Sequence, residues 1–263
     1  MKIIVLIKQV PDIEKNIKIT VDEKSYSINR QGIPSIMNPP DKNALEEALR
    51  FKDELGCEVT AITMGPPQAN DILKEAISMG ADSSFLITDR IFAGSDTLST
   101  TLILSKAIRQ LGDFDYIFAG KQALDGDTGQ VGPGVACRFS IPQILSVKRV
   151  ITRQKDSMKL IRNFNGFEET IVVAPKALLT FCRHSNIPRL PSLRGLFATK
   201  NFTAPIFNNQ MIQIPEGQIG IDGSPTRVIK TFKPSMDKTV KKIQDLKGDG
   251  MMNQINAIIA EVR

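Results

Sequence analysis

Short apolar runs alternate with stretches of helical spacing through the first 140 residues, and this alternation restricts the fold more than any other feature. Residues 2–7 form a β-branched run. Residues 41–54 carry Ala44, Leu45, Ala48, Leu49 and Phe51 at helical spacing. Pro39 and Pro40 precede that helix, and Asp41 is placed to cap it. Residues 58–64 read as a strand ended by Gly65-Pro66-Pro67, and 70–79 as a helix stopped by Gly80. A strand at 84–87, a helix at 96–111, a strand at 116–119 and a helix at 127–139 follow. Four strand–helix units in succession predict a parallel, doubly wound α/β sheet with helices on both faces. Continuous apolar strands fit such a sheet, because both of its faces are covered. Ligands then sit beyond the carboxyl ends of the strands, where the strand order reverses. The loops at 8–12, 65–70, 89–97 and 120–130 are the ones to inspect.

The pattern changes after Pro142. Strand signals at 144–151, 157–163, 168–174 and 177–181 follow one another through turns, and Asn165-Gly166 is a hairpin signal. These strands either extend the sheet or lie on it as an antiparallel layer. Residues 183–204 are rich in Pro, Arg and Ser. Beyond them 230–235 reads as extended, and 236–246 and 251–262 as helical. The last helix carries Met252, Ile255, Ile258, Ile259 and Val262 on one stripe, with Gly248-Asp249-Gly250 as a hinge before it. The expected division is an α/β domain at 1–228 and a C-terminal helical arm at 229–263.

Composition removes several function classes. No stretch has the apolar length of a bilayer span. The N-terminal apolar run is too short for a signal peptide and reads as a buried strand, so a cytoplasmic location is expected. Cys57, Cys137 and Cys182 are far apart, and His184 is the only histidine. A disulfide framework is therefore excluded, and the spacing argues against a Cys/His metal site. His184, between Arg183 and Ser185, reads as an exposed loop residue and not as a catalytic base. The net charge of +6 is spread along the chain, with no Trp and two Tyr, so no stacking platform for nucleic acid is present. Acidic partner proteins or a phosphate-bearing cofactor account for the charge equally well.

The segment 119–133, Ala-Gly-Lys-Gln-Ala-Leu-Asp-Gly-Asp-Thr-Gly-Gln-Val-Gly-Pro, carries the most chemistry. It follows a strand and opens a helix. Its glycines let backbone approach a ligand, and a helix start favours phosphate. Thr128 and Gln130 can donate further hydrogen bonds. The order of a Walker loop is absent. An EF-hand is excluded because Ala136 stands where its last acidic ligand belongs. The plain alternative is a Gly/Asp turn that only caps a helix. Residues 92–100 repeat the strand-to-helix arrangement, with a Ser/Asp cap as the plain alternative. In Met37-Asn38-Pro39-Pro40-Asp41, Asn38 has amide donors and an acceptor suited to an adenine edge. No nucleophile or general base accompanies these segments.

Together they resemble the β subunit of an electron transfer flavoprotein. The resemblance runs through Ile7-Lys8-Gln9-Val10-Pro11-Asp12, Met37-Asn38-Pro39, Ala44-Leu45-Glu46-Glu47-Ala48, Gly65-Pro66, residues 76–82, residues 120–132 and Asn186-x-Pro188-Arg189. It implies an adenine-nucleotide α-hydrolase-like sheet and a heterodimer with an FAD-carrying α subunit. It also implies a nucleotide held by Leu6, Lys8, Asn38, Pro39, Asp41, Met64, Gly65, Gln122, Asp125, Gly126, Asp127, Thr128, Gly129, Gln130, Val131 and Gly132. The tail from about residue 230 would reach the α subunit. Residues 183–189 resemble the loop that docks on an acyl-CoA-dehydrogenase-type partner.

Members of one branch hold structural AMP in this site. Members of the other hold a second FAD, which accepts hydride from NADH and sends electrons to ferredoxin or flavodoxin and to the α-subunit FAD. Residues 125–133 and Ala93-Gly94-Ser95-Asp96-Thr97 resemble the second branch, which adds Gly94, Asp96 and Thr97 to the expected contacts. AMP, with simple electron shuttling, is the alternative. Ser99 departs from the Ala of many relatives, a change expected to be without consequence.

Overall fold

The computed structural model describes residues 1–12, 20–21, 28–29, 34–229 and 249–261. In chain order the elements are β1 (Lys2–Leu6), β2 (Gln9–Pro11), β3 (Thr20–Val21), β4 (Ile28–Asn29), β5 (Ser35–Met37), α1 (Pro39–Leu55), β6 (Glu58–Met64), α2 (Asn70–Met79), β7 (Ser83–Ile87), α3 (Thr97–Gln110) and β8 (Tyr116–Gly120). Then come α4 (Val131–Phe139), β9 (Gln143–Arg153), β10 (Met158–Phe164), β11 (Phe167–Val173), β12 (Ala177–Phe181), α5 (Leu193–Ala198), β13 (Ile206–Phe207), α6 (Asn209–Ile212) and α7 (Asp249–Glu261).

One sheet takes up nine of these strands in the order β11-β10-β9-β12-β8-β1-β6-β7-β13. Every neighbouring pair from β9 to β13 is parallel. Only β9-β10-β11 run antiparallel. The chain builds outward from β1 through β6 and β7, then returns to place β8 on β1's other flank. The strand order therefore reverses between β1 and β8.

Side-chain alternation along β1 explains why both faces must be covered. Ile3 and Val5 join Leu45, Leu49 and Leu73 of α1 and α2 on one face. Ile4 and Leu6 join Ile103, Ile108 and Val135 of α3 and α4 on the other. All four β1 residues are buried, as the unbroken apolar run requires. An aromatic cluster centres on fully buried Phe118, whose ring lies 5.8 Å from Phe51 and 4.9 Å from Phe181.

The later strands extend the sheet. β12 adds to β8 in parallel, and the β9–β11 meander hangs from β12. Asn165 (φ 49°) and Gly166 (φ 85°) make the turn between β10 and β11, two left-handed residues as the tight hairpin demands. Two helix starts differ from the sequence reading. α1 begins at Pro39, so Asp41 lies inside its first turn and does not cap it. α4 begins at Val131 and not at residue 127. Asp127 (φ 53°) and Gly129 (φ 62°) are left-handed, which no helix interior accepts. The region 183–204, rich in Pro, Arg and Ser, contains α5. Asp249 and Gly250 lie within α7 and not in a hinge. The expected segments 230–235 and 236–246, and Gly248, lie outside the described residues. Among the described residues no helix is long and apolar enough to cross a membrane.

Phe118→Ala removes the centre of the aromatic cluster. It is expected to cost about 3–5 kcal/mol, read from the shift in the urea-unfolding midpoint.

Candidate functional site

Where β1 and β8 part, the first turn of α1 closes the gap. Asp41 is buried there, and its two oxygens accept from the backbone N–H of Lys8, just past β1, at 2.8 Å and of Gly120, the last residue of β8, at 3.0 Å. Gly120 is required for this approach, because a Cβ there would lie 2.1 Å from Asp41 Oδ1. Burial pushes the Asp41 carboxyl up from 3.8 to about 7, against the lowering influence of Asn38 and the Lys8 and Gly120 amides.

Asn38, also buried, fixes the next loop. Its Nδ2 donates to Gln122 O at 3.0 Å, and its Oδ1 accepts from Leu124 N at 3.2 Å. Lys8 Nζ reaches Asp125 Oδ1 at 2.6 Å. Asp127 N donates to Ala123 O at 2.8 Å, and the Gln122 amide donates to the Asp127 carboxylate. The loop 120–130 is thus held from behind by α1 and from within by its own bonds.

A cleft of about 720 Å³ opens in front of that loop. Leu6, Ile62, Met64, Phe92 and Leu104 give it apolar walls; residues 126–132 and 94–97 form its polar rim. The first turn of α4 faces it, and such a turn has N–H groups without carbonyl partners in the helix. With the helix dipole they make a seat for an anion. Thr97 Oγ1 donates to Gln130 Oε1 at 3.0 Å, joining the starts of α3 and α4. Gly126 has open space where a Cβ would stand, whereas a Cβ on Gly132 would meet Thr180 Cγ2 at 2.9 Å. Gly126 therefore leaves room at the cleft, and Gly132 lets α4 lie close on β12.

Of the residues expected at a ligand, Leu6, Lys8, Asp41, Met64, Gly94, Asp96, Thr97, Gln122 and residues 126–132 line this cleft. Asn38 and Asp125 hold the loop from outside it, and Pro39 opens α1. Gly65 lies in an adjoining pocket of about 380 Å³ that shares Lys8 and Met64. His184 is exposed on a left-handed turn.

Thr226 is a lining residue with no local signal in the sequence. It belongs to a segment, 218–226, strapped across the start of α3. Asp96 caps α3 through Ser99 N (3.0 Å) and accepts from Thr226 N (3.1 Å) and Oγ1 (2.8 Å) with its other oxygen. Ser95 Oγ accepts from Gly220 N at 3.0 Å. Ser99 Oγ is in hydrogen-bond contact with Gly223 O (3.0 Å) and Gln218 O (3.2 Å). The hydroxyl of Ser99 is therefore not incidental; it ties the strap. Gly94 lies so close to Ile221 that a Cβ would come within 2.3 Å of it.

The electron transfer flavoprotein domain family matches residues 26–205. The electron transfer flavoprotein subunit beta of Thermoanaerobacterium thermosaccharolyticum is 43% identical over 90% of each chain. That of Megasphaera elsdenii is 38% identical over 97% of this chain and 96% of its own. Subunit CarD of the caffeyl-CoA reductase-Etf complex of Acetobacterium woodii is 39% identical over 89% of this chain and 88% of its own.

Asp41→Asn turns an amide NH₂ toward one of the two backbone donors. It is expected to cost about 1–3 kcal/mol in mildly acidic buffer. Between 3.8 and about 7 the folded Asp41 keeps a proton that the unfolded chain has released. Wild-type stability therefore falls as pH rises through that window and levels off above it. The variant lacks this slope, so its deficit narrows toward neutral pH. Urea unfolding of both proteins across that range checks it; equal slopes would clear Asp41 of the effect.

Proposed function

The chain belongs to the electron transfer flavoprotein β-subunit family, and from that premise we propose that its cleft seats an FAD, which supplies hydride acceptance from NADH and one-electron donation. The site then serves electron bifurcation. One outlet is ferredoxin or flavodoxin. The other is the FAD of the α subunit and, beyond it, an acyl-CoA-dehydrogenase-type partner. A cytoplasmic setting goes with these partners.

The observation that carries this reading is the extent of the cleft. It does not end at the anion seat of α4 but continues to the 94–97 rim, over apolar walls. A mononucleotide needs only the first part; a flavin with its pyrophosphate uses both. The amides of the first α4 turn, with Thr128 and Gln130, bind the pyrophosphate. Lys8, at the mouth, offsets its charge. Leu6, Met64 and Leu104 exclude water from the ring system. Asp96 and Thr97 orient the distal end, while Asn38, Asp41 and Asp125 keep the loop in position. Redox chemistry belongs to the cofactor, and the chain supplies its orientation and electrostatics. No side chain here is assigned as a catalytic acid or base.

Two surfaces serve the partners. The arm 229–263 packs on the α subunit, with the half-buried Met251, Ile255 and Ile258 of α7 on its apolar side. The stretch 183–189 leads into an apolar apex where Ile187, Leu190, Leu193 and Phe197 are each about 75–85% exposed. Apolar groups clustered on a surface in this way mark an interaction site. The name of the Acetobacterium woodii relative places that protein with a CoA-thioester reductase, and an acyl-CoA dehydrogenase is the partner proposed for the apex here.

The purified αβ complex is expected to release two FAD per heterodimer on denaturation, counted by absorbance and chromatography. One FAD with one AMP would leave this chain a structural nucleotide and end the bifurcation proposal.

A further inference from the structure

The apolar apex is held out from the body by a polar anchor on α1. Part of the polar side of this helix does not face water. Asn43, Glu46 and Glu47 are each at most 4% exposed, covered by residues 186–189 and, over Glu47, by Arg153. Asn43 Nδ2 donates to Asn186 O and Oδ1, both at 2.9 Å, and Asn186 Nδ2 returns a bond to Asn43 O at 2.9 Å. Glu46 Oε2 accepts from the Arg189 backbone N–H at 3.0 Å and from its Nε at 2.8 Å. The same guanidinium extends to Asp53 Oδ2 at 2.7 Å. Burial alone would raise the Glu46 carboxyl, but the bonds from Arg189 and Arg50 hold it below the usual carboxylate range. It is an ionised, paired group.

A second pin lies on α2. Ser192 N donates to Ser78 O at 3.1 Å, and Gly195 passes so close that a Cβ would stand 2.3 Å from that oxygen. Both pins are polar and lie on the inner side of the segment. Leu190, Leu193 and Phe197 point outward between and beyond them. An apolar segment free to choose would turn these side chains inward. Two such pins oppose that collapse, and a segment held in place in advance docks at a lower entropy cost.

We infer that Glu46 and Arg189 are positioning residues for partner recognition: the ion pair of buried Glu46 with half-buried Arg189, with the Asn43–Asn186 amide pair beside it, sets the apolar apex in its docking conformation. This rests on reading residues 187–197 as the docking surface. Neither residue touches the nucleotide cleft, so the effect of removing either is confined to the apex.

Hydrogen exchange on the intact αβ complex tests the anchor. The Arg189 amide is itself bonded to Glu46, and the Ser192 amide to Ser78, so both report directly. Glu46→Gln and the milder Arg189→Lys, which cannot fork between Glu46 and Asp53, should each speed exchange over 189–199 by about tenfold or more. Exchange at 120–132 and flavin content per heterodimer should stay as in the wild type. Arg189→Lys should also raise KM for an acyl-CoA dehydrogenase used as electron acceptor, with kcat kept. Unchanged exchange over 189–199 in both variants would overturn the anchor, as would an equal rise throughout the sheet. The docking reading fails separately, if Leu193→Ala with Phe197→Ala leaves KM for that acceptor unaltered.

Discussion

A parallel sheet opens where its strand order reverses, and backbone donors at the ends of the two parting strands are then turned away from the ladder. Asp41 occupies that opening between β1 and β8 and takes one donor from each side. The position is costly, since a carboxylate loses its water there, and that burial is what pushes its pKa up. What it holds is the cleft. With Lys8 and Gly120 tied to one carboxyl group, the loops after β1 and β8 have a fixed separation. Asn38, three residues earlier on the chain, extends the hold to Gln122 and Leu124. The anion seat at α4 stands on this arrangement.

The fold was legible because its signals are local. The β1 run announces a strand with two covered faces, and the stop at Gly80 comes from backbone freedom that glycine alone supplies cheaply. The hairpin at Asn165-Gly166 is of the same kind. The start of α4 was misplaced because Asp127 and Gly129 suit a helix cap and a left-handed loop equally well. Composition does not separate the two; the φ values do.

The cleft was legible only in part. Segments that follow a strand and open a helix can be found by order along the chain, and most of them line it. Thr226 and the strap at 218–226 could not, because they arrive from about 120–130 residues beyond the helix start that they cross. Their attachment depends on single hydroxyls at Ser95 and Ser99 and on one oxygen of Asp96. Asp41 was found but given the wrong task. Its position at a helix start fits a cap, whereas its partners belong to strands whose pairing no local pattern reveals.

The helix α1 follows from two demands made on one element. Ten of its seventeen residues are buried, and they include Asp41, Asn43, Glu46 and Glu47 beside Ala44, Leu45, Ala48 and Leu49. An ordinary surface helix has a wet side along which its sequence can drift freely. Here the side that looks wet in a helical projection is as crowded as the apolar one, and each polar group on it is matched to a specific counterpart. From Pro40 to Phe51 the helix has almost no neutral positions. It resembles a key cut on both edges, one matched to the core and the other to the segment that it anchors.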